Sequence, residues 1–236
     1  MKHNYFLRQL YYVNVSLTNT FAAWYVRLGN AGRVAHYLTT HPIKKLHLGA
    51  GGNLLPGWCN TDIVTDLKTG VYLNITRHFP FASGSFEYVF SEHTIEHISL
   101  RQGIAMLQEC FRVLKPKGRV RIATPDLKFL IEMYNQEKTD LQKREITRIV
   151  DMVFPDVNLY YDSFVINNFF RNWGHQFIYD YKVLKALLER VGFTQVTLCQ
   201  VAESADENLR GLEAHGKFIS PESNKLQTFV VEAVKP

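Results

Sequence analysis

Residues 44–50, KKLHLGA, form a short apolar run that goes directly into the glycine turn Gly49-Ala50-Gly51-Gly52, and few folds begin that way. Glycine there lets the backbone turn tightly and lets a ligand approach the main chain with no Cβ in the way. The residues after the turn separate the possible ligands. A nicotinamide fingerprint needs G-x-G-x-x-G with an acid about 20 residues on, whereas here Asn53-Leu54 lacks the third glycine and Asp62 arrives only eleven residues after Gly51. A P-loop is excluded, because no Gly-Lys-Ser/Thr is present after the turn. Asp62 at the end of a second strand can accept hydrogen bonds from both hydroxyls of a ribose; the plainer reading is a strand-end turn residue.

The rest of the chain alternates strands and helices. Residues 58–64 (WCNTDIV), 71–75 (VYLNI) and 86–92 (FEYVFSE) read as strands bounded by Gly, Pro, Asn or Asp. Ser99-Leu100-Arg101-Gln102 has the form of a capping box, and Ile104, Leu107, Phe111 and Leu114 recur at helical spacing behind it. Pro116 and Gly118 stop that helix, and RVRIATP, 119–125, comes next as a strand. Residues 127–150 predict one or two helices, and 154–177 an aromatic, Asn-rich connection long enough to be a functional loop or lid. Asp180 caps a helix whose Val183, Leu184, Leu187, Leu188 and Val191 face the core, with Gly192 at its C-terminal turn. The strands 194–202 and 228–234, separated by a charged excursion at 203–226, predict a terminal antiparallel hairpin on a mostly parallel sheet.

Composition narrows the class. The 236 residues, 46% of them hydrophobic, suit one α/β-sized core. A net charge of +5 spread over scattered Lys and Arg reads as a solvated basic surface and argues against a nucleic-acid partner. Cys59, Cys110 and Cys199 form no C-x-x-C pair, so neither a zinc site nor a disulfide framework is expected, and a reducing, cytoplasmic setting fits. No run of about 20 apolar residues predicts a membrane span. Residues 4–37 are rich in Tyr, Phe and Trp with spaced Arg, which predicts amphipathic helices packed on the main domain; peripheral membrane contact is the alternative.

Three ordered motifs, KLHLGAGGNLLPGWCNTDI, FPFASGSFEYVFSEHTIEHI and ECFRVLKPKGRVRIATPDL, resemble the class I S-adenosylmethionine-dependent methyltransferases over about residues 43–200. The resemblance is strongest to small predicted bacterial methyltransferases that share LPGW, SxHxxEH and GHxFxYD, here Gly174-His175-Gln176-Phe177-Ile178-Tyr179-Asp180. It implies a Rossmann-like seven-stranded α/β sheet with an antiparallel last strand and helices on both faces. The implied layout is an N-terminal helical extension at 1–40 and a methyltransferase domain at 41–236 with a lid or substrate insertion at about 127–177.

For the site, the resemblance implies that Gly49, Ala50 and Gly51 approach the methionine part of S-adenosylmethionine, Asp62 its ribose and Asn74 its adenine. Ser91, Glu92 and His93 would lie at the methyl-transfer face. His47 stands where the superfamily usually has an acid, and Asn53 where it usually has the third glycine. The helix that normally covers this side would be cut to a short turn between Gly52 and Trp58, its place taken by the N-terminal segment or the 154–177 loop.

A sulfonium already activates its methyl group, so the protein has to align the acceptor and exclude water, with no metal required. If the acceptor is a hydroxyl, an imidazole is the natural base, and His93 and His175 are the candidates; their plainer roles are a turn cap and a lid tether. Glu96 and His97 read as structural. Tyr179 is divided between substrate contact and capping, and Asp180 reads as a cap. No Asn/Asp-Pro-Pro-Tyr/Phe or Pro-Cys signature of nucleic-acid-base enzymes occurs, so the expected acceptor is a small molecule or saccharide, in keeping with the saccharide-modifying systems where this subgroup is found. The alternatives are a non-catalytic binding or scaffold protein, which His47 and Asn53 favour, and an RNA methyltransferase.

Overall fold

A computed structural model describes residues 29–63, 70–134, 137–215 and 219–236. Its centre is a seven-stranded sheet: β1 (Lys45–Leu48), β2 (Cys59–Asp62), β3 (Val71–Tyr72), β4 (Phe86–Glu92), β5 (Leu114–Pro125), β6 (Thr194–Cys199) and β7 (Thr228–Val234). Their spatial order is β3-β2-β1-β4-β5-β7-β6. The first five run parallel, and β7 lies antiparallel between β5 and β6. This is the predicted Rossmann-like sheet, with the order reversing at β1, so the carboxyl ends of β1 and β4 flank the crevice where such sheets take ligands.

Side chains alternate across the sheet with the strand period of two. Leu46, Leu48, Val89, Val120, Ile122, Val231 and Ala233 share one large apolar cluster. It also takes in Val34 and Tyr37 from α1 (helical residues 29–40), four residues of α2 (Leu100–Val113) and Leu184 and Leu188 from α6 (Tyr181–Val191). The intervening strand residues His47, Phe90, Arg121 and Glu232 are buried on the opposite face. Of the N-terminal extension, residues 1–28 lie outside the described part; Tyr37 ties α1 to β1, its hydroxyl receiving the Lys45 amide at 2.8 Å and donating to the Lys45 carbonyl at 2.9 Å.

Ser99 and Gln102 form the expected capping box of α2. The helix is rotated from the predicted face: Gly103, Met106, Leu107, Cys110 and Val113 are buried, while Ile104 and Phe111 are only partly so. Glycine is required at 103 on that face because a Cβ there would sit 2.4 Å from the Tyr179 hydroxyl. α2 ends at Val113 and β5 begins at Leu114, earlier than Pro116 and Gly118 suggested, with the register against β4 shifting between Phe86 and Tyr88. Asp180 caps α6 by accepting the Val183 amide at 2.8 Å, and Gly192 ends it at φ 117°. Leu184 and Leu188 carry its burial; Val183 is exposed.

The stretch 154–177, predicted as a loop or lid, contains α5 (Asp162–Arg171). Its N-cap residue, Tyr161, makes no side-chain cap, and only Val165, Asn168 and Phe169 are buried, so the sequence carries neither a start signal nor a wide apolar stripe. Packing supplies what the pattern lacks. With α3 (Leu127–Met133) and α4 (Asp140–Val153), α5 builds a second core from Phe129, Met133, Ile149, Val150, Val165 and Phe169.

The excursion that begins at 203 holds a 3-10 turn (Glu207–Leu209) and leads to α7 (Pro221–Gln227), and its first half covers the His47–Phe90 face. Leu209 and Leu212 pack there with Trp58 and Phe90. Arg121 fixes it from beneath: Nε donates to Glu213 at 2.6 Å, one terminal nitrogen donates to Glu232 at 2.5 Å and to the Glu203 carbonyl at 2.9 Å. Both ends of the Arg121–Glu213 pair are fully buried, so removing the cation strands carboxylates in the interior. Arg121→Ala is therefore expected to lose about 3–5 kcal/mol in chemical denaturation, with early proteolytic cleavage within 203–215. A loss below about 1 kcal/mol would contradict this arrangement.

Candidate functional site

The glycine turn sits at the carboxyl end of β1. Gly49 has φ 65°, and a Cβ there would lie 2.2 Å from Thr94 Oγ1, so this position requires glycine both for its conformation and for the approach of the turn after β4. Gly51 also has positive φ, but a Cβ on it or on Gly52 would meet nothing within 4 Å. The space above the turn is therefore open. The Gly51 amide donates to Asp62 Oδ2 at 2.9 Å, which brings the glycine turn and the carboxylate at the end of β2 together. Ala50 is tied in by its amide, 2.9 Å from the Thr61 carbonyl.

The turn between Gly52 and Trp58 contains no helix, as expected. Asn60 holds it: its Oδ1 accepts the Leu55 amide at 2.9 Å and its Nδ2 donates to the Leu55 carbonyl at 2.9 Å. The cover over Trp58 and Phe90 comes from Leu209 and Leu212 of the excursion. Two apolar side chains in a charged segment were too sparse to signal that role. His47 turns to this same face, where its Nδ1 donates to Asn60 Oδ1 at 3.0 Å and its ring lies 5.0 Å from that of Phe90. It is a buried neutral imidazole away from the glycine turn's open side.

The other predicted cofactor residues stand on β4 and just past β3. Asn74 lies two residues beyond β3, its Oδ1 accepting from the Thr76 amide at 3.0 Å and hydroxyl at 2.7 Å. Ser91 is buried, with no hydrogen-bond partner for its hydroxyl. Glu92 accepts the amides of Ala214 and His215, each at 2.9 Å, so both its oxygens hold the excursion onto the sheet. Burial nonetheless raises its pKa, against those amides and His93.

Past β4 the chain makes a 3-10 turn, Ile95–His97, which brings together the two histidine-bearing motifs. The carbonyl of Glu96 accepts the amides of Gln176 at 2.7 Å and Phe177 at 3.3 Å, and Gln176 Nε2 donates to the His97 carbonyl at 2.9 Å. The Glu96 side chain is fully buried. Its Oε2 accepts the Thr124 hydroxyl at 2.9 Å, while Oε1 faces His93 Nδ1 at 3.3 Å and His97 Nε2 at 4.0 Å, distances of ion pairing off the axis of a hydrogen bond. Burial by itself would raise the pKa of Glu96, but His93 and then His97 hold it down at about 2. In the sequence Glu96 and His97 read as structural; nothing in SEHTIEH alone shows that a segment nearly eighty residues later closes over them.

His93 and His175 differ in their bonding. His93, at φ 45°, has Nε2 3.1 Å from Thr228 Oγ1, and that hydroxyl donates onward to Asn224, so Nε2 is the donor. Its Nδ1 faces Glu96, and its ring lies 4.2 Å from that of His215. His175 Nδ1 donates to the Phe169 carbonyl at 2.7 Å, which leaves the lone pair on Nε2. Burial lowers the pKa of His175, and that of His215 to about 4. The His175 ring stands edge-on to His97 at 4.8 Å and 5.5 Å from the exposed Trp173. A separate open groove of about 500 Å³, lined by Arg119, Thr197, Glu203 and Glu232, shares no residue with this region.

Residues 64–122, about a quarter of the chain, match the family model of a methyltransferase domain. No curated protein sequence matches. Among solved structures, a SAM-dependent methyltransferase from Archaeoglobus fulgidus is 18% identical, with 89% of this chain and 94% of that one covered and a TM-score of 0.51. Phosphoethanolamine N-methyltransferase 2 of Haemonchus contortus, solved with S-adenosyl-L-methionine, is 14% identical over 87% of this chain and 52% of that one, at TM-score 0.43. A putative methyltransferase of Haloferax volcanii in complex with the Trm112 activator is also 14% identical, over 92% and 98%, at 0.46. The likeness to the first establishes a shared Rossmann-like methyltransferase fold.

The buried histidine of β1 gives a test of the site's electrostatics. Burial holds the His47 pKa at about 4, below its ordinary 6.5, against the opposing bond to Asn60. The unfolded chain then binds the extra proton first, so this contribution is complete above pH 6.5 and is lost as pH falls toward 4. Denaturation of the wild type should lose about 2–3 kcal/mol more than His47→Gln between pH 7 and 4.5. Parallel acid profiles of the two proteins would contradict a buried neutral His47.

Proposed function

We propose that the protein is a class I S-adenosylmethionine-dependent methyltransferase acting on a hydroxyl of a small molecule or saccharide. The observation that carries this is the 2.9 Å bond from Gly51 to Asp62, which places an open glycine turn and a carboxylate on adjacent strand ends at the sheet's switch point. That arrangement fits the cofactor: the turn leaves main-chain space for the amino-acid part, and Asp62 offers a carboxylate to the ribose hydroxyls. Asn74, just past β3, is assigned to the adenine side. The methyltransferase-domain match over residues 64–122 and the shared fold support the same reading.

The cofactor, when bound, supplies an electrophilic methyl group. The chain's own residues position the acceptor and exclude water. Of the two candidate bases, His93 has one nitrogen donating to Thr228 and the other facing Glu96, so it positions the turn after β4. His175 retains a lone pair on Nε2, held in place by the Phe169 carbonyl, and is assigned as the acceptor of the hydroxyl proton. The exposed indole of Trp173 beside it offers a flat apolar face of the kind that packs against a sugar ring, which favours a saccharide acceptor.

Calorimetric titration with S-adenosylmethionine and S-adenosylhomocysteine should give saturable binding to the wild type. Asp62→Ala, checked for folding by circular dichroism, should weaken it by about 1–3 kcal/mol, the cost of a lost hydrogen bond to a charged group. No binding by a folded wild-type protein would overturn the enzyme reading.

A further inference from the structure

Glu96, His97 and His175 each present a ligand atom, and the three atoms lie within 4.8 Å of one another. The sequence suggested no metal, since its cysteines form no C-x-x-C pair and methyl transfer from a sulfonium requires none; His97 and His175 stand nearly eighty residues apart. The fold joins them through the Gln176 and Phe177 amides on the Glu96 carbonyl. Gly174, just before His175 and beside His97, has φ 79°, a backbone conformation that favours glycine.

From this geometry we infer that Glu96, His97 and His175 form a site for a divalent transition-metal ion of the zinc class. Two imidazoles and one carboxylate are the donor set such ions take when a coordination position is left for an outside ligand. Calcium and magnesium prefer all-oxygen sites, so the histidines select against them. A tetrahedral ion with bonds of about 2.0–2.1 Å spaces its ligands roughly 3.4 Å apart. The three atoms, within 4.8 Å of one another, must draw closer to hold an ion, and the His97 side chain, 38% exposed, has room to turn.

Two features separate this from a chance meeting of polar groups. Glu96 Oε1 is fully buried and has no hydrogen-bond partner, although it points at the histidines. Each of two ligands is also held from behind, as metal ligands characteristically are. Thr124 donates to Glu96 Oε2, which turns Oε1 toward the histidines. The Phe169 carbonyl takes the proton of His175 Nδ1, which leaves Nε2 for an ion. His93 Nδ1 approaches the same Oε1 at 3.3 Å and belongs to the surroundings of the site.

The side chains of His97 and His175 are only partly buried, so the ion would keep a side open to solvent or to an acceptor oxygen. An ion there occupies the Nε2 lone pair of His175, and activation of a hydroxyl would then pass from the imidazole to the ion. The site stands on its own geometry and does not depend on the methyl-transfer reading.

The test is calorimetric titration of untagged, chelator-stripped protein with Zn²⁺ at neutral pH, with no S-adenosylmethionine present. One equivalent should bind to the wild type and to His36→Ala, which removes an exposed histidine elsewhere. Affinity should fall about 100-fold or more in His97→Ala and His175→Ala, and about 10–100-fold in Thr124→Val, which keeps the side-chain shape but frees Glu96. No saturable binding by the folded wild type, or equal binding by His97→Ala and His175→Ala, would overturn the site. Because the readout is binding of the ion alone, that failure is distinct from failure to bind the cofactor.

Discussion

Glu96 is the residue on which the arrangement of the carboxyl edge depends. A fully buried carboxylate is expensive unless its charge is answered, and here the answer comes from two directions. Thr124 at the end of β5 donates to one oxygen, and His93 and His97 face the other; separately, the main-chain carbonyl of the same residue receives the Gln176 and Phe177 amides. One residue thus links the turn after β4, β5 and, through its backbone, the connection between α5 and α6. Tyr179, buried against Gly103 of α2, continues that line of packing into the helical face.

The two faces of the sheet are stabilised by different physics. On one, α1, α2 and α6 bury a continuous apolar cluster in the ordinary manner of an α/β protein. On the other, where the helix after β1 is reduced to a turn, an irregular segment is held by charge: Arg121 binds Glu213 and the Glu203 carbonyl, and Glu92 binds the Ala214 and His215 amides. Leu209 and Leu212 add a small apolar contribution against Trp58 and Phe90. This explains why Glu92, a strand-end carboxylate that invites a functional role, has both oxygens engaged by backbone.

Much of the sheet was legible because strand pattern and turn residues agree locally: all seven strands, the α2 capping box, the Asp180 cap and the Gly192 terminator lie where their residue types require. The glycine turn and Asp62 were legible for the same reason, both being fixed by neighbours a few residues away. What was hidden depends on distant partners. α5 has no cap and too narrow an apolar stripe to be seen without α3 and α4; the face of α2 is set by Tyr179; the role of Leu209 and Leu212 needs Trp58. The meeting of SEHTIEH with GHQFIYD is of this second kind, since each motif alone reads as a turn with a histidine.

That the buried Glu96 carboxylate fixes the turn whose main-chain carbonyl receives Gln176 and Phe177 is tested most directly by amide hydrogen exchange in the wild type and in Glu96→Ala. Loss of the carboxylate should give faster exchange in residues 93–98 and 172–178, with the amides of β1, β4 and β5 still protected. Unchanged protection of Gln176 and Phe177 in the variant would contradict it, because the turn would then hold its carbonyl in place without the carboxylate.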